Sequence, residues 1–271
     1  MDDTAATDRV QEGAGPPVLI ATKLHPPGVR DESVPRERLM ERLRGGLGLR
    51  LSLVACPAGF GKTTLVAAWR EAEAARRPVA WLTVDKGDND PVVFWSHAIE
   101  ALRRVCPDIG ASVSPDAAGA APIVDLVLPR LVNALADQGE VALILDDFHW
   151  LTSSAVRESV AWFVDHLPPA FQLVLSSRTE PALRLAALRA HGELLELRAD
   201  DLRFTSGEAE AFLNGRLGLG LVPQEVDGLV ERTQGWPAGL YLAALSLRRC
   251  ATATRPYAGS ASRAARWPIS S

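Results

Sequence analysis

The chain has 271 residues, 47% of them hydrophobic and 23% charged, a globular balance that excludes a wholly disordered, collagenous or coiled-coil protein. No apolar run approaches about 18 residues, so no membrane span is expected, and three cysteines without a CxxC pair exclude a disulfide framework and fit a cytoplasmic location. The net charge of −4 is uneven: residues 248–271 hold five of the 29 basic residues and no acid, so 1–247 carry 24 basic against 33 acidic residues, a net of −9 that leaves no footprint for nucleic acid.

Residues 1–17 are acidic and polar with no apolar core, which reads as a disordered leader rather than a secretory signal. VPRERLMERLRGGL follows, with Leu39, Leu43 and Leu47 four apart, the spacing of an amphipathic helix that Gly45, Gly46 and Gly48 end. Five short apolar runs come next: LSLVAC (51–56), VAWLTV (79–84), VALILD (141–146), FQLVLS (171–176) and ELLEL (193–197). They are rich in Val, Leu and Ile and mostly do not alternate, the pattern of strands buried on both faces. Helical patterns separate them at about 62–76, 91–105, 123–138 and 153–166, so an α/β domain with a mainly parallel sheet is predicted over 18–200. Residues 106–122 are small, rich in Pro and Gly and without period, and read as an exposed loop. After Leu197 only helical spacing remains, which predicts a helical subdomain over 201–249 and a disordered basic tail over 250–271.

The stretch CPAGFGKTTL (56–65) lies between an apolar strand and a helical pattern, the context a phosphate-binding loop requires. Pro57, Ala58, Gly59, Phe60 and Gly61 fold the backbone so that its N–H groups cradle phosphate oxygens; Lys62 reaches the β- and γ-phosphates, and Thr63, followed by Thr64, offers a hydroxyl to Mg²⁺. The usual GxxxxGK[ST] pattern has Gly at the position of Cys56; a cysteine serves there if the backbone is not left-handed. VALILDDFHWL (141–151) supplies carboxylates at another strand end. Asp146 is the candidate Mg²⁺ residue, and Asp147 the group that orients or deprotonates an attacking water. Ser176, Ser177 and Arg178 end the next strand, which in this class of sheet lies between the two nucleotide strands, and Arg178 is a candidate sensor of the γ-phosphate.

Taken with ATKLHPP, WLTVDKGDNDPVVFWSHAIEAL, HLPPAFQLVLSSRTEP, LRADDLRFTSGEAEAFL and TQGWPAGLYLAALSL, these blocks resemble the signal-transduction ATPases with numerous domains (STAND), and among them the ATPase region of the large LuxR-type, maltose-activator-like transcriptional regulators, over about residues 18–247. The resemblance implies a P-loop NTPase of the ASCE/STAND type: a five-stranded parallel sheet with an appended helical subdomain, using ATP/ADP and Mg²⁺. It also implies Walker roles for Lys62, Thr63 and Asp146, a catalytic role for Asp147 and a sensor role for Arg178. Val34 and Arg36 of VPRE match the family's adenine-side motif, and Pro237 of GWPAGL its adenine-packing proline. Family members are switches, held closed by ADP and self-associating in the ATP state. Their winged-helix, sensor-repeat and DNA-binding parts find no match here, so no direct DNA binding is expected of this chain, and the tail reads either as a basic arm or as an out-of-frame ending. A metabolic P-loop enzyme such as a small kinase, and a non-hydrolysing nucleotide-binding module, remain the alternatives.

Three further features carry no site. DKGDNDP (85–91) fails the spacing of a calcium loop and reads as a strand-end turn with Asp90 as N-cap and Pro91 at the first helical position. The five histidines are scattered without zinc spacing. Trp69, Trp81, Trp95, Trp150 and Trp162 fall on apolar faces and read as core.

Overall fold

The structure, a computed structural model, describes residues 18–28, 33–110, 113 and 123–253, the last four by backbone alone. The leader 1–17, much of 106–122 and residues 254–271 lie outside the described residues. The chain divides into two compact units between Arg203 and Phe204.

The first unit is built on five strands: β1 (Leu51–Ala55), β2 (Val79–Thr83), β3 (Val141–Asp146), β4 (Phe171–Ser177) and β5 (Leu194–Leu197). They pair in parallel in the order β2-β3-β4-β1-β5. The helices of this unit are α1 (Glu37–Arg44), α2 (Lys62–Glu73), α3 (Pro91–Arg103), α4 (Ile123–Ala136), α5 (Ser154–His166), α6 (Leu185–Ala190) and α7 (Ala199–Leu202). The fold is therefore the predicted α/β architecture with a five-stranded parallel sheet.

Two apolar layers explain why the strand runs do not alternate. One face of the sheet presents Leu53, Leu82, Leu143, Leu145, Leu173 and Leu175 to Phe94 and Trp95 of α3, Leu128 and Leu131 of α4 and Phe163 of α5. The other presents Val54, Trp81, Ala142, Ile144 and Val174 to Leu39 and Leu43 of α1 and Leu65 and Trp69 of α2. Both faces are covered, so successive residues of a strand are all apolar. Burying each large side chain contributes about 1.5–3 kcal/mol. Trp69, Trp81 and Trp95 are fully buried, and Trp150 and Trp162 pack at the core's margin.

Buried polar groups fix the ends of this stack. Gln172 on β4 is wholly buried; its Nε2 donates to Leu43 O at 2.7 Å and to Ser52 Oγ at 3.1 Å, and its Oε1 accepts from Arg77 Nη2 at 2.5 Å. Gly46 is required beside it, because a Cβ there would stand 2.1 Å from Ser52 Oγ and 2.6 Å from Gln172 Nε2. Elsewhere, Lys23 Nζ donates to the buried Asp88 carboxylate at 2.7 Å, and Ile20 N–H donates to His97 Nε2 at 3.1 Å, which ties the segment before α1 to α3. Asp90 caps α3 as expected, accepting from Val92 and Val93 N–H at 2.7 and 3.1 Å, with Pro91 at the first helical position.

Two expectations need correction. The segment after α3 is not simply exposed: Cys106, Ile109 and Val113 are buried in the core, and Arg103 binds the carbonyls of Ile109, Gly110 and Val113. The cause is apolar side chains three and four apart inside an otherwise turn-like composition. The last helix also runs further than expected, into the segment read as a tail.

The second unit is helical: α8 (Ser206–Glu210) continuing into a π-helical turn (Ala211–Arg216), α9 (Pro223–Thr233) and α10 (Pro237–Ala253). Thr205 and Glu208 form a reciprocal capping box, Thr205 Oγ1 accepting from Glu208 N–H at 3.2 Å and Glu208 Oε2 from Thr205 N–H at 3.0 Å. Ala209, Phe212, Leu213, Leu217, Val226, Leu240 and Ala244 are among its buried residues.

Candidate functional site

The carboxyl edge of the parallel sheet gathers the candidates of the first unit. β4 lies between β1 and β3, as the sequence pattern required, with Val54 level with Ser176 and Leu145 with Leu175. The loop after β1 therefore faces the end of β3 across the tip of β4. Open parallel sheets place ligands at this kind of crevice.

The loop turns on two left-handed glycines, Gly59 at φ +83° and Gly61 at φ +80°. Cys56 instead continues the ladder, its N–H donating to Ser177 O at 3.2 Å, and it is not left-handed. The missing first glycine thus leaves the loop's path intact. Gly61 caps α2, whose first ladder bond at this end is Leu65 N–H to Gly61 O at 2.8 Å. The N–H groups of the first turn lie outside that ladder, as at any helix start, and carry the positive end of its dipole. Pro57, Ala58 and Gly59 are exposed, Phe60 half-buried and Thr64 exposed.

Lys62 is buried, and its Nζ donates to the carbonyls of Cys56 at 2.7 Å and Pro57 at 2.9 Å. Burial lowers its pKa, Arg178 adds to the lowering, and Cys56, Asp147 and Asp146 oppose it. Thr63 Oγ1 lies 2.9 and 3.1 Å from the two carboxylate oxygens of Asp146 and donates to them. Burial pushes the Asp146 carboxyl above its usual range, and the neighbouring charge of Asp147 pushes the same way. A hydroxyl and a desolvated carboxylate side by side fit Mg²⁺, which prefers oxygen ligands and takes one or two carboxylates together with phosphates and water. Among the described residues no cluster of three His, Cys, Asp or Glu forms a fuller metal cage.

Asp147 has left-handed backbone, φ +58° and ψ +34°, uncommon outside glycine but tolerated by aspartate. The turn takes its carboxylate out of the line of β3. Arg178 follows β4, exposed and, among the described residues, without hydrogen bond or ion pair. The structure thus brings Lys62, Thr63, Asp146, Asp147 and Arg178 to one sheet edge.

The adenine-side candidates are placed differently. Arg36 is buried, and its Nη2 donates to Leu202 O at 3.1 Å and Arg203 O at 3.0 Å, holding the end of α7 against the start of α1. Val34 is half-buried two residues before it. Pro237 belongs to the second unit, where it begins α10.

Sequence reasoning missed His149. It sits in the 3₁₀ turn Phe148–Trp150 directly after Asp147, mostly buried, with Nδ1 3.7 Å from Asp147 Oδ1. The available signal was position alone: a titratable side chain two residues past the second acid.

Comparison with known proteins agrees with this geometry. A family model described as an AAA ATPase domain matches residues 35–176. Over 248 residues the chain is 38% identical to the serine/threonine-protein kinase PknK of Mycobacterium tuberculosis, covering 88% of this chain and 22% of that one. It is 34% identical over 234 residues to the HTH-type transcriptional regulator MalT of Cronobacter sakazakii, covering 86% and 26%. The chain thus spans about a quarter of the length of these curated relatives. Two solved structures share its fold. One is a Walker-type ATPase of Pyrococcus abyssi, with TM-score 0.52 and 17% identity over 82% of this chain and 70% of that one. The other is a signal transduction ATPase with numerous domains from Pyrococcus horikoshii, with a tetratricopeptide repeat sensor, at TM-score 0.52 and 18% identity over 78% and 30%. With a phosphate loop, paired acids and this sheet order in place, and with the family model covering more than half of its length, the chain belongs to the AAA ATPase domain family.

Proposed function

We propose that this chain is the ATP/ADP-binding switch of a maltose-activator-like transcriptional regulator. The observation that carries this reading is the meeting of Thr63 and Asp146 at 2.9 Å beside the Lys62 loop, with Asp147 and Arg178 at the same sheet edge. The similarity to the transcriptional regulator MalT supports the regulatory part.

In this reading Pro57 to Thr64 hold the phosphates, and Lys62 exchanges its two loop carbonyls for phosphate oxygens. Thr63 and Asp146 would hold Mg²⁺, which would supply charge neutralisation to the phosphates. Asp147 orients the attacking water and takes its proton. The water oxygen bonds to the γ-phosphorus as the bridging P–O bond to ADP breaks. Arg178 reports the γ-phosphate. Val34 and Arg36 serve the adenine side. Hydrolysis is slow, because a switch needs a long-lived bound state, and the ATP form self-associates. Direct DNA contact is not assigned to this chain, whose body is acidic, and its place is the cytoplasm. Among the described residues no helix is long and apolar enough to cross a membrane.

Titration with Mg·ATP and Mg·ADP tests the reading, with Lys62→Ala as control. The wild type is expected to bind both, and the variant to bind at least about 100-fold more weakly, the loss of two charge-assisted contacts. Equal affinity in the two proteins overturns the site. Turnover above about one per second, ordinary for a metabolic enzyme, overturns the switch.

A further inference from the structure

The amino edge of the parallel sheet, opposite the phosphate loop, carries a cavity of about 460 Å³ where α2 ends and β2 begins. Three arginines line it, Arg70, Arg76 and Arg77, with Ala75, Val79 and Val105 among its apolar walls. Among the described residues no acid lines it, although residues 1–247 carry a net of −9. α2 has 12 residues, so at about 1.5 Å per residue roughly 18 Å of helix separates Lys62 from this cavity.

The three arginines are held differently. Arg77 is fixed: its side chain is 4% exposed, its Nη2 donates to Gln172 Oε1 at 2.5 Å, its guanidinium lies over the Trp69 ring at 5.4 Å, and its Nε is 3.4 Å from Glu73 Oε2. Glu73 also accepts from Arg44 Nε at 2.7 Å, so two cations share that carboxylate. The other two have no counter-charge. Among the described residues neither the Arg70 nor the Arg76 side chain makes a hydrogen bond or ion pair, and Arg70 Nε is buried without an acceptor. The carbonyl end of α2, which would repel an anion, is partly taken up by the chain itself: Arg70 O accepts from Ala74 N–H at 2.9 Å, and Glu73 O from Arg76 and Arg77 N–H at 2.8 and 3.1 Å. Gathering like charges is unfavourable, and a buried donor without an acceptor adds to that cost. An anion in the cavity relieves both.

We propose that this cavity binds a small organic phosphate monoester. Guanidinium forks match phosphate oxygens in pairs. Arg70 and Arg76 bring two positive charges without counter-charge, and a phosphate monoester carries about −1.5 to −2 at pH 7. Arg77 is the fixed floor, and Arg70 and Arg76 close on the phosphate. The apolar walls take the organic part, in a volume ordinary for a small ligand. A carboxylate brings too little charge, and inorganic phosphate leaves the apolar walls unused.

Phenyl phosphate is the probe, titrated into the full chain with its phosphate loop saturated by Mg·ADP. Two readouts are used: calorimetry for affinity, and 1H–15N spectroscopy of the arginine Nε–H groups, assigned by their loss in Arg70→Gln and Arg76→Gln. Saturable shifts at Arg70 and Arg76 are expected, half complete below about 1 mM. Arg70→Gln/Arg76→Gln is expected to weaken binding at least about 10-fold while keeping the wild-type melting point, because neither side chain holds another part of the fold. Lys62→Ala, measured without ADP, is expected to bind phenyl phosphate like the wild type. Benzoate and inorganic phosphate are each expected to bind at least about 5-fold more weakly than phenyl phosphate. Absence of saturable shifts, wild-type affinity in the double variant, or loss of binding in Lys62→Ala overturns the site. Benzoate or inorganic phosphate binding as tightly as phenyl phosphate overturns the ligand class. The Lys62→Ala arm keeps this inference separate from the nucleotide reading, since it removes the phosphate loop's lysine and leaves the cavity untouched.

Discussion

Replacing Gln172 by leucine removes one buried amide and disturbs three elements at once. The amide joins the end of α1 through Leu43 O, β1 through Ser52 Oγ, and the segment after α2 through Arg77. The three partners do not suffer equally. Leu43 O also accepts from Gly45 and Gly46 N–H, so it stays satisfied. The Ser52 hydroxyl is left buried, at a cost of about 1–2 kcal/mol. Arg77 suffers most: it is 6% exposed and, among the described residues, its Nε and Nη1 have no hydrogen-bond partner, its other contacts being the ion pair with Glu73 at 3.4 Å and the Trp69 ring at 5.4 Å. Its bond to Gln172 is the side-chain hydrogen bond this buried guanidinium makes, and losing it costs about 2–3 kcal/mol. The total is about 3–5 kcal/mol, and at about 2–4 °C per kcal/mol for a chain of this size the melting point falls by roughly 6–20 °C. Urea unfolding of the wild type, Gln172→Leu and Gln172→Leu/Arg77→Met measures both the loss and its cause. If the orphaned guanidinium dominates, the double variant is at least about 1 kcal/mol more stable than Gln172→Leu, since removing both partners is cheaper than removing one. A loss below about 1 kcal/mol in Gln172→Leu, or simple additivity in the double variant, refutes the reasoning.

Two further predictions concern pH. The Asp146 pKa is raised by burial, so the folded state holds this proton more tightly than the unfolded chain. The stability it contributes is present below the unfolded value of about 4 and is lost as pH rises through the folded one. Asp146→Asn therefore gains on the wild type as pH rises from about 4 to 7, and Mg²⁺ with nucleotide stabilises only the wild type; equal pH slopes in urea midpoints contradict this. Glu196 on β5 behaves oppositely, its pKa held down at about 2 by Arg189 and then Arg198. Its stabilisation is present above about 4.5 and lost as pH falls toward 2. Its arginine partners are a third or more exposed, so Glu196→Gln costs under about 1 kcal/mol at pH 7 and less in about 0.5 M salt. A salt-independent cost would show that screening does not reach this cluster.

The strands were legible because burial on both faces turns each into an unbroken apolar run, and the phosphate loop because its glycines, lysine and threonine are consecutive. What escaped depends on partners far along the chain. Gln172 looks like an interruption in FQLVLS until Leu43 and Ser52, more than a hundred residues earlier, come alongside it. Asp88 reads as part of an acidic turn, yet Lys23, sixty-five residues away, makes it a buried anchor. Arg36 matched a family position, but its bonds to Leu202 and Arg203 span 166 and 167 residues and cannot be inferred from VPRE. The misread segment after α3 is of another kind. Cys106, Ile109 and Val113 stand three and four apart within a Pro- and Gly-rich composition, and burial follows that spacing and not the composition. Helical spacing likewise gave no sharp end to α10, because helix boundaries depend on caps more than on period.

The groups at the sheet edge do not wait unpaired. Lys62 already donates to two carbonyls of its own loop, and Thr63 to Asp146. A phosphate with Mg²⁺ must therefore exchange these bonds rather than add to them, and its net gain is what remains after the internal ones are given up. That exchange is the same for a diphosphate and a triphosphate wherever both reach Lys62 and Thr63. A ligand shifts an equilibrium between two conformations only by the difference in its contacts with them. The discrimination between ADP and ATP therefore falls to groups that only the γ-phosphate reaches. Among the described residues Arg178 has no hydrogen bond or ion pair to give up, and Asp147 lies at the same sheet edge. In the proposed reading Lys62 and Thr63 serve binding, whereas the distinction between the two nucleotides falls to Arg178 and Asp147.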